Sequence, residues 1–344
     1  MTEPPAPSNA PPLPEGGVPM QRAAHDLGPQ LEPLLLQAGD GKLTDIHWFR
    51  TQWQRGGAAT AHASFDGGDG PREVVIKFPV GPREYRVLTE LSAVDEAPTP
   101  VVVMHGTELG GFDFAWIVME QLPGEPLKVD HGKKDFMRIA EAAAGFYDHA
   151  ASHWPVDGKL RESDWAMLME RGREVLRDNP ISHVQQWNEA VKHAQKVLPS
   201  LLTRWRARHV DTWCHGDLHL GNAMMRPNGS AWCNGQAHED EAGRCILLDF
   251  AEVHAGHWIE DALYLERVHW ANPELLKKVK PVQLIAKARK ARGLEVEEDY
   301  AELAHIRRVL MAACAPAFLE REGHPAYMEA ALQVLEKTLP LVGA

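Results

Sequence analysis

Along the first third of the chain, apolar positions recur every second residue in short runs, and turn-forming clusters separate the runs. Ile46 to Trp53 has strand composition and ends at Arg55-Gly56-Gly57. Residues 59–65 form a second candidate strand, closed by Asp66-Gly67-Gly68-Asp69-Gly70, and Glu73 to Phe78 a third. In that third run Val74, Ile76 and Phe78 share one face, with Val75 and Lys77 on the other. From Pro82 the spacing changes: Glu84, Val87, Leu88 and Leu91 fall at i, i+3, i+4, i+7, which predicts a helix with Glu84 on its inward stripe. After Ala97-Pro98-Thr99-Pro100, the apolar segments 101–104 and 115–119 read as two more strands, and Gln121-Leu122-Pro123-Gly124 breaks the pattern. Beyond it helical spacing dominates. Phe136, Ile139, Ala143, Phe146 and Tyr147 make one stripe. Val184, Trp187, Val191, Leu198, Leu201, Leu202 and Trp205 make a longer one, and helices are predicted near 260–270, 282–292 and 299–313.

This order of elements predicts an α+β chain of two lobes. An antiparallel-sheet lobe of about five strands and one helix spans residues 23–122, and a mainly helical lobe spans 123–344. The proline-rich residues 1–22 are expected to be a flexible, extended leader. Composition narrows the function classes. The 344 residues are 44% hydrophobic and 24% charged, ordinary for a globular chain with a real core. No run approaches the ~18 apolar residues of a membrane span, so no membrane partner is expected. Four cysteines do not suggest a disulfide framework, and a cytoplasmic location is the default expectation. A net charge of −12 argues against nucleic acid as a partner and leans toward a cationic small molecule.

The chemistry is concentrated in His215-Gly216-Asp217-Leu218-His219-Leu220-Gly221-Asn222, an H-x-D-x4-N pattern with the spacing of a kinase catalytic loop. Twenty-seven residues after Asn222, the apolar run Ile246-Leu247-Leu248 ends in Asp249-Phe250-Ala251, similar to the D-F-G segment. Phosphoryl transfer needs a carboxylate to take the acceptor hydroxyl's proton, and oxygen ligands to hold magnesium on the phosphates. Asp217 suits the first role, Asn222 and Asp249 the second, and His215 a structural one. Between them, Pro227-Asn228-Gly229 is a candidate hairpin turn and 233–244 a polar excursion. Upstream, Val74-Val75-Ile76-Lys77 has the form of the strand that carries a phosphate-binding lysine, for which Glu84 is the natural partner. Gly56 and Gly57 would allow backbone amides close to phosphates.

These residues together resemble the aminoglycoside phosphotransferase and choline kinase family, small-molecule kinases of protein-kinase-like fold. The similarity runs from about Leu43 to Leu265 and includes Lys77, Glu84, Pro98-x-Pro100 and Trp116 to Gly124. It implies ATP and Mg²⁺ as cofactors, with ATP lying between the lobes. It also implies an interlobe hinge whose backbone at Glu120 and Leu122 binds adenine, and a small-molecule hydroxyl as acceptor. Gly256 to Leu263 resembles the family segment in which a carboxylate, here Asp261, braces the catalytic loop. Two features depart from the pattern: Ala251 follows Asp249-Phe250 where Glu or Gly is common, and Lys77 and Glu84 are only seven residues apart. In this fold the acceptor binds among the C-terminal helices, where His254, His257, Trp258, Glu266, Trp270 and Glu320 are candidates. Acidic groups there would favour an amine-bearing acceptor such as an aminoglycoside or amino alcohol. Two rival readings use the same residues. One is a metal-dependent hydrolase built on the His/Asp cluster, which leaves Asn222 and the front lobe without a role; the other is a non-catalytic kinase-like binding protein.

Overall fold

The computed structural model describes residues 19–49, 58–129, 132–156, 163–232 and 240–343. Contacts sort these into two compact units: one holds the described residues through Val80 together with Val103–Gln121, the other Gly81–Val102 and everything from Leu122 onward.

The first unit is a five-stranded sheet in the order β1 (Leu43–Phe49), β2 (Ala59–Asp66), β3 (Pro71–Val80), β5 (Ala115–Glu120), β4 (Val102–Gly106). The pairings from β1 through β5 are antiparallel. Register explains the packing: the small Ala59, Ala61 and Ala63 of β2 lie opposite the large Phe78, Ile76 and Val74 of β3, and all six are buried. That leaves room for a helix, α1 (Pro19–Ala38), which lays Gly28, Leu31 and Leu35 toward the sheet. Gly28 is needed there, since a Cβ would come within 2.5 Å of the Trp48 ring. Proline richness predicts a flexible leader through residue 22, yet the helix already includes Pro19 to Arg22; residues 1–18 lie outside the described residues.

The second unit is helical: α2 (Pro82–Leu91), α3 (Lys133–His153), α4 (Trp165–Asp178), α5 (Val184–Arg206), α6 (Ile259–Arg267), α7 (Pro281–Ala291), α8 (Tyr300–Cys314), the short α9 (Leu319–Glu322) and α10 (Pro325–Val342). Its core gathers Phe136, Phe146, Tyr147, Trp187, Trp205, Phe250 and Trp258, all fully buried. Two short antiparallel pairs complete it, β6 (Thr212–Cys214) with β9 (His254–Gly256) and β7 (Ala223–Arg226) with β8 (Arg244–Leu247). The turn at Pro227-Asn228-Gly229 opens a 227–243 excursion rather than a tight hairpin, and its residues 233–239 lie outside the described residues.

The sequence break at 121–124 falls where the chain enters the helical unit, but residues 81–102 already sort with that unit. Hydrogen bonds account for this. Arg83 of α2 donates to Val253 O at 3.1 Å. Leu247 N donates to Pro98 O at 2.9 Å, and Arg226 donates to Thr99 O at 3.0 Å. Among the described residues no helix is long and apolar enough to cross a membrane.

Candidate active site

The two strand pairs bring both motifs together. His215–Asn222 fills the stretch between β6 and β7, and Leu248–Val253 fills the stretch between β8 and β9. Because β6 pairs with β9 and β7 with β8, the two stretches run alongside each other. Leu248 N donates to Asn222 O at 2.8 Å. The His215 ring lies 2.9 Å from Leu248 O through Nε2 and takes the Asp217 N–H on Nδ1 at 3.3 Å. That pattern needs Nε2 to carry the proton of a neutral ring. Burial lowers the His215 pKa and so favours the neutral form. His215 is fully buried and packs against Phe146 and Phe250.

Asp261, near the start of α6, holds the loop from below. Its carboxylate accepts His215 N at 2.7 Å, Gly216 N at 2.8 Å and the Tyr147 hydroxyl at 2.9 Å. Three donors to one fully buried carboxylate satisfy most of its lone pairs. Burial first, then the charge of Asp261, holds the Tyr147 hydroxyl protonated, its pKa well above the usual value. Gly216 sits at φ +85°, and a Cβ there would stand 2.2 Å from Glu252 O. Only glycine lets the two stretches approach this closely.

Asp217 is half-buried at the end of this scaffold. Asn222 Nδ2 donates to its carboxylate at 2.9 Å and to its backbone oxygen at 3.0 Å. His219 Nε2 lies 3.7 Å away. Burial alone would raise its pKa, but the neighbouring His219, Tyr264 and Asn222 side chains outweigh burial and pull it down to about 2. The carboxylate is therefore ionised across the physiological range, acceptor-only, and oriented by its neighbours. Asp249 caps the 3-10 turn Phe250–Glu252 in the left-handed region, at φ +61°, and its side chain is exposed. The β7–β8 register pairs Ala223 with Leu247 and so sets Asn222 and Asp249 at adjoining strand ends. An amide and a carboxylate at these positions would offer hard oxygens of the kind Mg²⁺ takes. Among the described residues no group of three or more His, Cys, Asp and Glu is placed to hold a metal ion. The hydrolase reading would need such a centre.

Next to the loop, Gly216 and Tyr264 form part of a cavity of about 190 Å³, wholly within the helical unit. Trp165, His254, Glu260, Arg267, Arg307 and Tyr327 also line it. Of the residues expected to contact the acceptor, His254 is the one found on this wall. His257 and Trp258 are fully buried and clasp Glu297, at 3.0 and 3.1 Å. Glu266 is taken by Arg308 at 2.7 Å, and the buried Trp270 stacks on Tyr327. Glu320 is exposed on α9.

The sequence profile of the phosphotransferase enzyme family matches residues 56–305, well over half of the chain. The chain belongs to the phosphotransferase enzyme family. No curated protein sequence matches it. Among solved structures, the aminoglycoside phosphotransferase of Alicyclobacillus acidocaldarius is 12% identical with a TM-score of 0.55, covering 98% of this chain and 96% of that one. The choline kinase of Streptococcus pneumoniae is 14% identical at a TM-score of 0.51, over 91% and 99%. The choline kinase of Cryptosporidium parvum is 10% identical at 0.50, over 88% and 89%. At these identities the likeness is one of fold, and the fold is kinase-like.

In the sheet unit of this phosphotransferase, Lys77 is half-buried on β3 between Thr60 of β2 and Ile117 of β5. Glu120 is buried opposite Val74, and Gln121 N continues the ladder to Glu73 O at 3.1 Å. Glu84, buried on α2, and Leu122 belong to the helical unit. Gly56 and Gly57 lie outside the described residues. Sequence reasoning passed over Tyr147, Tyr264, Glu260 and Arg307. Tyr147 shows up only as one apolar position in a stripe, because its hydroxyl's partner is 114 residues away. Glu260, beside Asp261, reads as an ordinary first-turn acid of a helix.

Proposed function

We propose that this phosphotransferase moves the γ-phosphoryl group of ATP to a hydroxyl of a small molecule. The observation that carries the reading is the ionised Asp217 held by Asn222, with Asp249 at the adjoining strand end. In the reaction the acceptor oxygen forms a bond to the γ-phosphorus. The bond from that phosphorus to the β–γ bridging oxygen breaks, and ADP leaves with the electron pair. Asp217 orients the hydroxyl and receives its proton. A carboxylate with a pKa near 2 is a weak base, which suits a loose transition state in which the proton departs late. Asn222 and Asp249 are the residues that would hold Mg²⁺, whose charge offsets that of the phosphates. Lys77 is the cation assigned to the phosphates, with Glu84 as its partner, and the backbone at Glu120 and Leu122 is assigned to the nucleotide base. Gly56 and Gly57 keep their proposed place beside the phosphates.

The family supports phosphoryl transfer, and the site supports the roles. The test is turnover of ATP with Mg²⁺ across a panel of small alcohols, read as ADP release and as the mass of the phosphorylated product. Asp217→Ala is expected to lower kcat by about 10²–10⁴-fold while leaving nucleotide affinity near that of the parent. Retention of near-normal turnover would remove Asp217 from the reaction.

A further inference from the structure

The acidic composition of the chain favours a cationic acceptor, but the cavity beside the catalytic loop is built the other way. Among the described residues two carboxylates line it, and both already have partners. Asp261 is occupied by two loop amides and Tyr147. Glu260, deeply buried, takes Arg208 at 3.3 Å, Arg307 at 3.2 Å and the His257 N–H at 3.2 Å, with His254 Nε2 at 3.8 Å. One carboxylate thus faces two guanidinium groups and a histidine. Burial would lower the His254 pKa, but its bonds to Glu260 and to Glu252 O outweigh burial and raise it, favouring further positive charge.

A third guanidinium, Arg267, stands on the same wall. Burial lowers the Arg307 pKa, and the charges of Arg208 and Arg267 press it the same way, against the pull of Glu260. Among the described residues the buried Arg307 Nε has no hydrogen-bond partner. Aromatic rings neighbour these groups: Arg307 lies over Trp165 at 4.8 Å, and Arg267 lies 6.0 Å from the Tyr264 ring centre and 5.6 Å from that of Tyr327, whose hydroxyl accepts from it at 2.7 Å. Planar, ring-backed guanidinium groups recognise planar anions.

We propose that the acceptor of this phosphotransferase carries a carboxylate, bound by Arg307 and Arg267 in the cavity, so that its substrate class is a hydroxy acid rather than a polyamine. The cavity's remaining wall, Trp165, Leu168, Met311 and Phe318, suits an apolar body between the two polar ends. The inference rests on the phosphoryl-transfer reading for the fate of the hydroxyl, but not for the binding of the carboxylate.

Matched probes test it on the full chain. One set is 4-(hydroxymethyl)benzoate, its carboxamide, and 4-(hydroxymethyl)benzylamine; the other is 4-hydroxybutyrate, its amide, and 4-aminobutanol. Affinities are read by calorimetry without nucleotide at fixed ionic strength. At least one of the two carboxylates should bind about tenfold or more tighter than its own amide and amine, as a charge-assisted pair predicts. Arg267→Met should remove that preference, and Arg307→Met should as well. Since Arg307 also supports Glu260, the probe series on the parent protein and the Arg267 variant stand independently of whether the Arg307 variant folds. Equal or tighter binding of the amines, or no binding by either carboxylate, would overturn the proposal. ADP release separates the two readings. A chain that binds the carboxylates but phosphorylates no alcohol in the panel keeps this inference and counts against phosphoryl transfer. One that phosphorylates only the amines does the reverse.

Discussion

A single glycine shows how tightly this site is specified. The close antiparallel course of the two motif stretches requires Gly216 at φ +85°, 2.2 Å from Glu252 O if it carried a Cβ. Gly229 has a similar φ of +77° but nothing within 4 Å of a Cβ. The pair separates backbone strain from close approach. Gly229→Ala should cost about 1–2 kcal/mol in denaturant unfolding, the left-handed penalty alone, with activity unchanged. Gly216→Ala should cost distinctly more and abolish turnover, because Asp217 is the next residue. Equal losses from both would mean the loop can back away from Glu252. Asp217, Asn222 and Asp249 stand out in the sequence by their motif spacing, and spacing survives in one dimension. Their supports are not legible: the partners of Asp261 lie 45, 46 and 114 residues away.

Among the elements, periodicity is informative wherever the chain is long enough to show it. The stripe predicted for α2, at Glu84, Val87, Leu88 and Leu91, is the buried set. The stripe predicted on α3 is likewise buried throughout. On α5, Val184 and Leu202 fall outside the buried set. The helix α1 escapes the sequence because Pro29 and Pro33 lie within it and read as breakers. In α4 the buried Gly172 interrupts an otherwise regular stripe of Trp165, Met169 and Leu176. The three-residue strands β6 and β9 are too short for any pattern to mark. By contrast α10 carries a plain stripe, Met328, Ala331, Leu332 and Leu335, that could have been read. The stretch between α7 and α8 has its own role, since Glu297 receives the ring N–H groups of His257 and Trp258 just ahead of α6. Burial would lift the Glu297 pKa, but these donors outweigh it and hold it at about 2. Glu297→Ala leaves both buried donors unmatched and should cost about 2 kcal/mol or more, with Glu297→Gln recovering part of the loss. A change below about 0.5 kcal/mol in denaturant unfolding would show that the clasp contributes little.

At the scale of the whole molecule, composition and the proposed acceptor cavity point to ligands of opposite charge. The net charge of −12 points to a cationic ligand, whereas the described acids lining the cavity, Glu260 and Asp261, are taken by arginines, backbone amides and Tyr147. Global charge shapes the far field, but the sign at a site follows from which charges are already paired. The kinase-like fold and the family membership, by contrast, follow from features spread along most of the chain. The proposed reaction requires Asn222 and Asp249 to hold a metal ion on a nucleotide while Asp217 faces the transferred phosphoryl group. A crystal structure of the protein with Mg²⁺ and a non-hydrolysable ATP analogue tests this most directly. The prediction is a metal bound through side-chain oxygens of both Asn222 and Asp249, at about 2.0–2.1 Å, with the terminal phosphate toward Asp217. Nucleotide and metal seated elsewhere, with these three side chains uninvolved, would contradict it.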